Sequence, residues 1–343
     1  MTTYKNKSDI KVAVIGYGGQ FNMGRSHLTA CREAGMTPNA VADLDEKRLA
    51  IAESDFPGLE TYDSVAKFLQ SSKANLVIVV TPHNTHAKLA IECAKAGKHV
   101  VVEKPFAITT SECDSMIATS AKNKVLLSTY HNRHWDGCIL AAMKSIGSGA
   151  IGNIVRVDAK SGGWGKPRDR WRSSRSISGG VLYDWGVHFL EYALQLIDSE
   201  IVEVSGFETN GVWNDSLRWG DDTNEAEATA IVRFANGVLL SLRMTSIDTK
   251  ERPQWFEITG TKGSYFFDGE TWELVRPRSK SIVREKGKNP NAEYERFYDN
   301  IADCLTGKKE LIITPEWARR PVHILDLAAR SARAGRTLKA KYS

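Results

Sequence analysis

The chain has 343 residues, of which 42% are hydrophobic and 25% charged, and its formal net charge is +5. This length is enough for two domains with separate cores, and the composition excludes the disordered and membrane-spanning classes. The charge is too small to indicate nucleic-acid binding by itself. The first ten residues lack the apolar core of a signal peptide, and the five scattered cysteines are typical of free thiols in a reducing compartment. We therefore expect a cytoplasmic protein without disulfide bonds or a metal site.

The first part of the chain predicts a strand, a glycine-rich turn, a helix and a second strand. Residues 11–15 form an apolar, β-branched run, the pattern of a strand buried on both faces. The run leads into three glycines that allow positive φ and close approach of a phosphate, at Gly16, Gly18 and Gly19. Helical sequence begins near residue 23, and a strand at 39–42 ends on Asp43, where an acid accepts hydrogen bonds from a ribose. This order predicts a dinucleotide-binding unit, against the alternative of an ordinary strand–helix turn.

The spacing of these glycines is irregular. The pattern G-x-G-x-x-G fits Gly16 and Gly18, but its third place is Phe21. Gly19 and Gly24 lie on either side of that place, as if a few residues had been inserted. The insertion leaves open which backbone amides hold the pyrophosphate.

Strands and helices continue to alternate up to residue 128. Further strands are expected at 60–62, 75–80, 98–102 and 125–128. Such alternation predicts a parallel sheet with helices on both faces, where ligands collect at the carboxyl ends of the strands. The residues that follow two of these ends are candidates for cofactor binding, namely Thr81, Pro82, His86, Glu103 and Lys104. We expect Lys104 to lie in the ligand crevice rather than on the surface, because Pro105 fixes the chain where its side chain emerges.

Together these residues resemble the glucose–fructose oxidoreductase, inositol dehydrogenase and MocA family (Gfo/Idh/MocA). The motifs that carry the resemblance are the glycine-rich turn with Asp43, Thr81-Pro82-x-x-x-His86, Glu103-Lys104-Pro105 and Gly179-Gly180-x-x-x-Asp184-x-Gly186-x-His188. The resemblance covers essentially the whole chain. It implies an α/β fold, with an N-terminal Rossmann domain followed by a C-terminal α/β domain with a large, mostly antiparallel open sheet. It also implies that Lys104, Asp184 and His188 are the catalytic residues.

Three segments are expected: a dinucleotide-binding domain at 1–128, a substrate and oligomerisation domain at 129–313, and a C-terminal helix at 314–343 that packs back on the first domain. All nine tryptophans occur from Trp135 onward, which places the first boundary. Strands of the second domain are expected at 154–160, 201–209, 226–234, 238–245 and 255–260. Asn236-Gly237 predicts a hairpin between two of them. The resemblance implies self-association through the open sheet face, so a homodimer or homotetramer is expected.

Several polar and aromatic residues of this domain are candidates to bind the substrate. His131 and Arg133 follow the last strand of the first domain, and Trp171 and Arg172 lie in a basic, aromatic segment. Tryptophans there could stack on a sugar ring while arginines hold a carboxylate, a phosphate or hydroxyls. A solvated loop or an oligomer contact is the equal alternative for that segment.

Asp184 and His188 are four residues apart, a spacing that would place both on one face of a helix. The family often has an aspartate three residues after the histidine. This chain has Glu191 there, so that residue is left out of the expected site. The C-terminal helix is expected to begin at Thr314-Pro315 and to kink or restart at Pro321.

These observations predict an NAD-dependent oxidoreductase that acts on a secondary hydroxyl of a sugar, cyclitol or sugar derivative. NAD is favoured over NADP because a carboxylate at Asp43 repels a 2′-phosphate. His188 is the expected general base, Lys104 the donor to the developing alkoxide, and Asp184 a group that holds the histidine or a substrate hydroxyl. Two alternatives stay open: a redox-neutral sugar-modifying enzyme (glycosidase- or lyase-like) that recycles a tightly bound NAD, and a non-catalytic dinucleotide-binding regulator.

Overall fold

The computed structural model describes residues 3–19, 21–249 and 255–340. Gln20, in the expected loop insertion, lies outside these ranges. The chain divides into two units, of which unit 1 comprises Met1–Asn132 with Glu295–Arg320, and unit 2 comprises Arg133–Tyr294 with Pro321–Ser343. The functional boundaries expected at 128/129 and 313/314 stay predictions.

Among its described residues, unit 1 contains a six-stranded sheet in the order β3-β2-β1-β4-β5-β6. The strands are β1 (Lys11–Ile15), β2 (Thr37–Ala42), β3 (Glu60–Tyr62), β4 (Leu76–Val79), β5 (His99–Val102) and β6 (Leu127–Thr129). All neighbouring pairs are parallel, and β4 and β5 are buried along their whole length, as apolar strands covered on both faces are. The strand order reverses between β1 and β4. This is the Rossmann arrangement that the sequence predicts.

The helices, in chain order, are α1 (Met23–Glu33), α2 (Glu46–Asp55), α3 (Val65–Ser71), α4 (His86–Lys95), α5 (Thr110–Asn123), α6 (Gly137–Gly147), α7 (Arg175–Ser178), α8 (Gly186–Leu196), α9 (Arg296–Leu305) and α10 (Pro315–Ala334). Four of them begin where a polar side chain accepts a backbone N–H of the first turn, which satisfies an otherwise unpaired donor. These caps are Asp45, Ser64, Thr109 and Thr314. In the described residues, we find no helix with the length and apolar character needed to cross a membrane.

The described part of unit 2 is built on a nine-stranded sheet in the order β14-β13-β12-β11-β7-β10-β9-β8-β15. Its strands are β7 (Ile154–Gly162), β8 (Ile201–Thr209), β9 (Glu227–Phe234), β10 (Leu239–Thr245), β11 (Phe256–Gly260), β12 (Gly263–Phe267), β13 (Thr271–Arg278), β14 (Ser281–Lys288) and β15 (Leu338–Lys339). β7 and β10 pair in parallel, whereas the other neighbouring pairs are antiparallel. The prediction of a large, mostly antiparallel sheet is confirmed.

One face of this sheet forms the core of unit 2. Alternate residues of β9 and β10, such as Val232 and Leu242, are fully buried, because side chains of a strand point to opposite faces in turn. Helix α8 packs on this face, and its Phe189 meets Phe256 with ring centroids 5.2 Å apart. Asn236-Gly237 joins β9 to β10 as predicted, with a φ of 87° at Gly237.

Two further expectations can be compared with the structure. Helix α10 continues through Pro321 without a second start, because proline removes only one backbone hydrogen bond and the flanking Ala318, Val322 and Leu325 are buried. Of the kink or restart expected at Pro321, the restart does not occur, and the kink stays a prediction. All five cysteines are buried free thiols, as expected.

Candidate active site

The glycine-rich turn after β1 packs too closely against backbone atoms to allow side chains at two of its glycines. Gly16 has a φ of 87°, and a Cβ there would lie 2.6 Å from the Val80 carbonyl oxygen. Gly18 also has a positive φ, of 110°. Gly24 lies in the first turn of α1, where a Cβ would approach the Tyr17 carbonyl oxygen to 2.4 Å. The helix start therefore approaches the β1 end closely, and a pyrophosphate fits beside these amides.

Gly24 takes the structural role of the third glycine in the fingerprint, which the sequence analysis left open. That role is to let the helix pack against the strand. The available signal was its position just inside a helix that begins at Met23. Gly19 differs, because the nearest atom to a Cβ there would be the Arg48 guanidinium at 3.6 Å, an ordinary contact.

Asp43 lies directly after β2, and its carboxylate orientation is fixed by two backbone amides. The Tyr17 N–H donates to Oδ2 at 2.7 Å and the Asp45 N–H donates to Oδ1 at 3.0 Å. Each oxygen has a second lone pair, so the fixed carboxylate can still accept from ribose hydroxyls. These acceptor oxygens fit the hydroxyls of the adenosine ribose of NAD.

The segment after β4 is held by its own side chains. Thr81 Oγ1 and Thr85 Oγ1 are 2.6 Å apart, and the Thr85 hydroxyl donates to the Pro82 carbonyl at 2.7 Å. The Thr81 methyl would lie 3.1 Å from a Cβ at Gly16, so this segment borders the glycine turn. His86 is fully buried, and both its ring nitrogens lie against backbone carbonyls. Because the ring is buried and both nitrogens lie 2.8 Å from carbonyl oxygens, His86 is placed to hold the backbone after β4 rather than to contact a ligand.

Glu103 and Lys104 follow β5, and Glu103 is held from two sides. Its Oε1 lies 3.0 Å from Nε2 of His27, and its Oε2 accepts the Lys104 backbone N–H at 2.9 Å. Burial by itself would raise the pKa of Glu103, but the hydrogen bond and charge of His27, with the charge of Lys104, outweigh it and lower that pKa. Glu103 is therefore a carboxylate at neutral pH, with both oxygens engaged.

In unit 2, the Gly179-Gly180 turn is closed by side chains. Both glycines have positive φ, of 93° and 126°. A Cβ at Gly179 would meet the Tyr183 ring at 2.9 Å, and one at Gly180 would meet Oε1 of Glu225 at 2.6 Å. Glu225 also accepts the Val181 N–H at 3.0 Å. The turn is thus shaped around a buried carboxylate.

That carboxylate belongs to a small charged cluster. Nη2 of Arg175 lies 2.9 Å from Glu225 and 3.1 Å from Glu208. Burial raises the pKa of Glu225 although Arg175 opposes the shift. Sequence reasoning missed this cluster, which supports the motif that ends in His188.

Asp184 and His188 are both present in the second motif, but they do not share a helix. A 3-10 turn occupies Val181–Tyr183, and α8 begins only at Gly186. The argument from one helix face is therefore wrong for Asp184, because the spacing rule holds only inside one helix. His188 is nearly buried in the first turn of α8, whereas the Asp184 side chain is 41% exposed.

The aromatic, basic segment brings two predicted residues to Asp184. The Arg172 guanidinium lies over the Trp171 ring at 4.4 Å, and its Nε is 3.9 Å from Asp184 Oδ1. Arg133 instead donates to Asp136 at 2.9 Å and lies over Trp185.

Two histidines of the linking segment have different surroundings. His131 has no exposed surface, so its ring is not accessible to a ligand in this structure. His134 pairs with the buried Glu191 at 2.5 Å, and Gln195 donates to the other oxygen at 2.9 Å. Glu191, which the sequence analysis set aside, has a defined place in unit 2.

Comparisons with known proteins cover both units. Residues 10–131 match an oxidoreductase-family, NAD-binding Rossmann fold model, and residues 139–266 match the GFO/IDH/MocA C-terminal domain model. A myo-inositol 2-dehydrogenase of Thermotoga maritima is 28% identical over 297 residues, which are 86% of this chain and 84% of that protein. A scyllo-inositol 2-dehydrogenase (NADP(+)) of Bacillus subtilis is 25% identical over 351 residues, 96% and 95% of the two chains. The structure of levoglucosan dehydrogenase in complex with NADH and levoglucosan has the same fold, with a TM-score of 0.83, 21% identity and coverage of 96% and 99%.

Proposed function

Because this chain belongs to the Gfo/Idh/MocA family and is an NAD-binding dehydrogenase that acts on CH–OH groups, we propose that its substrate is a sugar, cyclitol or sugar derivative oxidised at a secondary hydroxyl. One observation carries the proposal. The candidate cofactor-binding residues and the candidate catalytic lysine all follow the carboxyl ends of four neighbouring strands, β2, β1, β4 and β5. In that strand order they are Asp43, Gly16, Thr81 and Lys104. Ligands of open parallel sheets bind at that edge, where the strand order reverses.

The proposed chemistry assigns one role to each candidate residue. NAD, when bound, supplies the hydride acceptor. His188 removes the proton of the substrate hydroxyl, since imidazole is suited to general-base catalysis near neutral pH. Lys104 donates a hydrogen bond to the oxygen as negative charge develops on it. Asp184 holds His188 or a neighbouring substrate hydroxyl.

The substrate-binding set of the proposal includes Arg133, Trp171 and Arg172. His131, also expected there, has no exposed surface, so it would reach a substrate only after a local rearrangement of the chain. The Trp171–Arg172 stack supports it best, because a guanidinium held over a ring loses little further freedom when it binds a hydroxyl or an anionic group. Its position 3.9 Å from Asp184 adds a neighbouring acceptor for substrate hydroxyls. The names of the two inositol dehydrogenases support a cyclitol among the candidate substrates.

Selection of NAD over NADP rests on Asp43, whose fixed carboxylate would repel a 2′-phosphate. Arg48 opposes this preference, because its guanidinium lies near Gly19 at the same turn. We expect NAD to bind more tightly than NADP, with the difference reduced by Arg48. Fluorescence titration with both cofactors measures it, and a preference for NADP would contradict the assignment of Asp43.

A dehydrogenase screen over sugars, cyclitols and uronates, with NAD and with NADP, tests the function. Reduction of added NAD by at least one compound class is expected. Turnover that needs no added NAD, with cofactor retained through purification, would instead favour the redox-neutral alternative. No turnover together with tight NAD binding would favour a non-catalytic regulator.

Replacing Lys104 or His188 tests the mechanism. Lys104→Ala should lower kcat by about a hundredfold or more and leave NAD affinity nearly unchanged, because one preorganised donor is lost. His188→Ala should lower kcat by roughly 100-fold to 10,000-fold, as loss of a general base does. The double variant should lose much less than the product of the two effects, since both residues act on one proton and one oxygen.

Steady-state kinetics and NAD titration on the folded variants check this prediction. Multiplicative losses would mean that the two residues serve separate steps. Near-normal kcat in either single variant would remove that residue from the mechanism, and the search for the acid–base group would then move to His131 and Tyr183.

Self-association through the open sheet face is the second part of the proposal. Ile231 on β9 and Leu239 on β10 are 40% and 44% exposed, and both point away from the face that buries Val232 and Leu240. These apolar side chains support a homodimer or homotetramer. Sedimentation velocity measures the oligomeric state, and a monomer at micromolar concentration would contradict it.

A further inference from the structure

Two fully buried histidines contact the residues on either side of Lys104. His27 lies in α1 and His86 begins α4, and both have 0% exposure. With no exposed ring atoms they offer nothing to a substrate directly. Any part they take in the reaction must therefore act through the residues they touch.

His27 is the centre of a chain of hydrogen bonds that ends at the Lys104 backbone. Its Nδ1 lies 2.6 Å from the hydroxyl of Tyr298 on α9, and its Nε2 lies 3.0 Å from Oε1 of Glu103. Oε2 of Glu103 accepts the Lys104 N–H at 2.9 Å. The chain thus links two helices to the end of β5.

The protonation states along this chain agree with one another. Burial raises the pKa of Tyr298, so its hydroxyl keeps its hydrogen, and Glu103 is held as a carboxylate by its lowered pKa. A carboxylate can only accept, so Nε2 of His27 must carry a hydrogen and donate it to Glu103. On the other side of the ring, Nδ1 of His27 lies 2.6 Å from the Tyr298 hydroxyl.

His86 contacts the other side of the same segment. Its Nδ1 lies 2.8 Å from the Pro105 carbonyl oxygen and its Nε2 lies 2.8 Å from the Thr81 carbonyl oxygen. Burial lowers the pKa of His86 although both carbonyls oppose the shift. The imidazole spans the gap between the ends of β4 and β5.

We propose that His27 and His86 are positioning residues that fix the backbone before and after Lys104 and thereby orient its side chain for the reaction. The inference rests on the proposed role of Lys104. Glu103 holds the Lys104 amide, and Pro105 is held by His86, so the lysine side chain starts from a fixed Cα. A donor that is held in place needs no reorganisation when charge develops on the substrate.

The expected consequence is a loss in kcat rather than in binding. A misplacement of about 1 Å can lower a rate by roughly a hundredfold. His27 touches neither the glycine turn nor Asp43 through a described hydrogen bond, so its loss should leave NAD affinity nearly unchanged. His86 differs, because its Nε2 lies 2.8 Å from the carbonyl oxygen of Thr81, a candidate cofactor residue.

The matched control is His99, which lies at the other end of β5. It is 2% exposed and its Nδ1 accepts the Leu126 N–H at 2.9 Å. His27→Leu and His99→Leu both remove a buried, hydrogen-bonded histidine. His27 contacts Glu103, the residue after β5, whereas His99 is the first residue of β5. Both should lower stability, but only the first should affect Lys104.

The test combines kinetics with amide hydrogen exchange, using the compound that the screen identifies. His27→Leu should lower kcat by about tenfold to a hundredfold while KM for NAD changes by less than about threefold. His27→Gln, whose side-chain amide can still donate to Glu103, should recover most of the loss. In His27→Leu the Lys104 amide should exchange at least about tenfold faster, with the Val101 amide unchanged. His99→Leu should leave kcat and the Lys104 amide unchanged.

His86→Leu tests the second contact in the same way. It should lower kcat, and because His86 also contacts the Thr81 carbonyl, a moderate increase in KM for NAD can accompany the loss. Normal kcat in a folded His86→Leu variant would remove His86 from the proposal.

Several results would overturn the inference. Equal losses of kcat in His27→Leu and His99→Leu would show a general effect of lost stability. Normal kcat in His27→Leu, beside a large loss in Lys104→Ala, would refute positioning while leaving the proposed function intact. Normal kcat in Lys104→Ala would instead refute the proposed role of Lys104, on which the inference rests, while the substrate screen decides the proposed function separately. The exchange of the Lys104 amide would then still decide whether His27 holds the backbone.

If His27→Leu does not fold, Tyr298→Phe takes its place. It removes only the hydroxyl that lies 2.6 Å from Nδ1 of His27, so a smaller loss of kcat and a smaller increase in Lys104 exchange are expected. Unchanged exchange in Tyr298→Phe, with unchanged kcat, would overturn the chain of hydrogen bonds.

Discussion

The glycine turn after β1 in unit 1 and the Gly179-Gly180 turn in unit 2 both contain glycines with positive φ, but different groups surround them. At Gly16 and Gly24, the atoms that exclude a side chain are backbone carbonyl oxygens. At Gly179 and Gly180 they are an aromatic ring and a carboxylate. The position of a backbone atom is fixed by its own strand or helix, whereas a side chain can be removed by a substitution that leaves the backbone in place. The first turn is therefore fixed by the path of the chain, and the second by the residue that fills the space beside it.

The largest effect is expected at the first turn. Gly24→Ala would place a Cβ 2.4 Å from the Tyr17 carbonyl oxygen, which α1 or β1 must move to avoid. We expect a loss of about 3 kcal/mol in the free energy of unfolding and weaker NAD binding. Gly19→Ala is the control for stability, because its nearest neighbour is 3.6 Å away. Thermal unfolding measures both, and a stable Gly24→Ala protein would show that this turn can also adjust.

An intermediate effect is expected at the second turn, in a double-mutant cycle. Gly180→Ala should cost about 2 kcal/mol, from strain at positive φ and from the approach to Glu225. In a Glu225→Ala background the approach is gone, so the same substitution should cost about 1 kcal/mol less. Urea unfolding of the four proteins gives the coupling energy. Additive costs would mean that Glu225 does not limit the space at Gly180.

The smallest effect is expected on the pH dependence of stability, through the titration of His99 in β5 of the six-stranded sheet. Burial lowers the pKa of His99 from 6.5 to about 4, so the unfolded chain takes up the proton first as the pH falls. The stability that depends on neutral His99 is complete above pH 6.5 and is lost between about pH 6.5 and 4. From pH 7.5 to 5.5 the loss should be about 1 kcal/mol.

His99→Asn should flatten that part of the pH profile of stability, because an amide does not titrate there. Urea unfolding at both pH values measures the change. An unaltered slope in His99→Asn would assign the acid sensitivity to another group.

Sequence reasoning located elements with a strong local signal. The bounds of β1 agree with the predicted residues 11–15, because five consecutive apolar or aliphatic-stemmed positions end at a glycine. Asn236-Gly237 gave the β9–β10 hairpin for the same reason. β14 offered no such signal. None of its residues is buried, and its charged residues leave no alternation of apolar and polar positions in the sequence. Helix α9 and strands β12 and β13 were also not assigned, although α9 and β12 bury apolar residues such as Phe297 and Tyr265.

The candidate site divides in the same way. Gly16, Gly18 and Asp43 lie within one strand–helix–strand unit, so their spacing was readable. His27 and Tyr298 are 271 positions apart, and no local pattern joins them. Glu225 likewise reaches Gly180 from a distant segment. Contacts of this kind depend on the folded sheet order, which spacing in the sequence does not contain.

Both edges of the nine-stranded sheet have a consequence for handling the protein. On one side, β15 pairs with β8 and the Ala340 N–H donates to Val202, so a short strand covers that edge. On the other, β14 carries charged, exposed residues such as Arg284 and Lys286. Uncovered, uncharged edges recruit strands from other molecules and favour aggregation. Shortening the chain before Leu338 would expose β8 to such recruitment, so a purification tag is better joined before residue 3 than exchanged for the last residues.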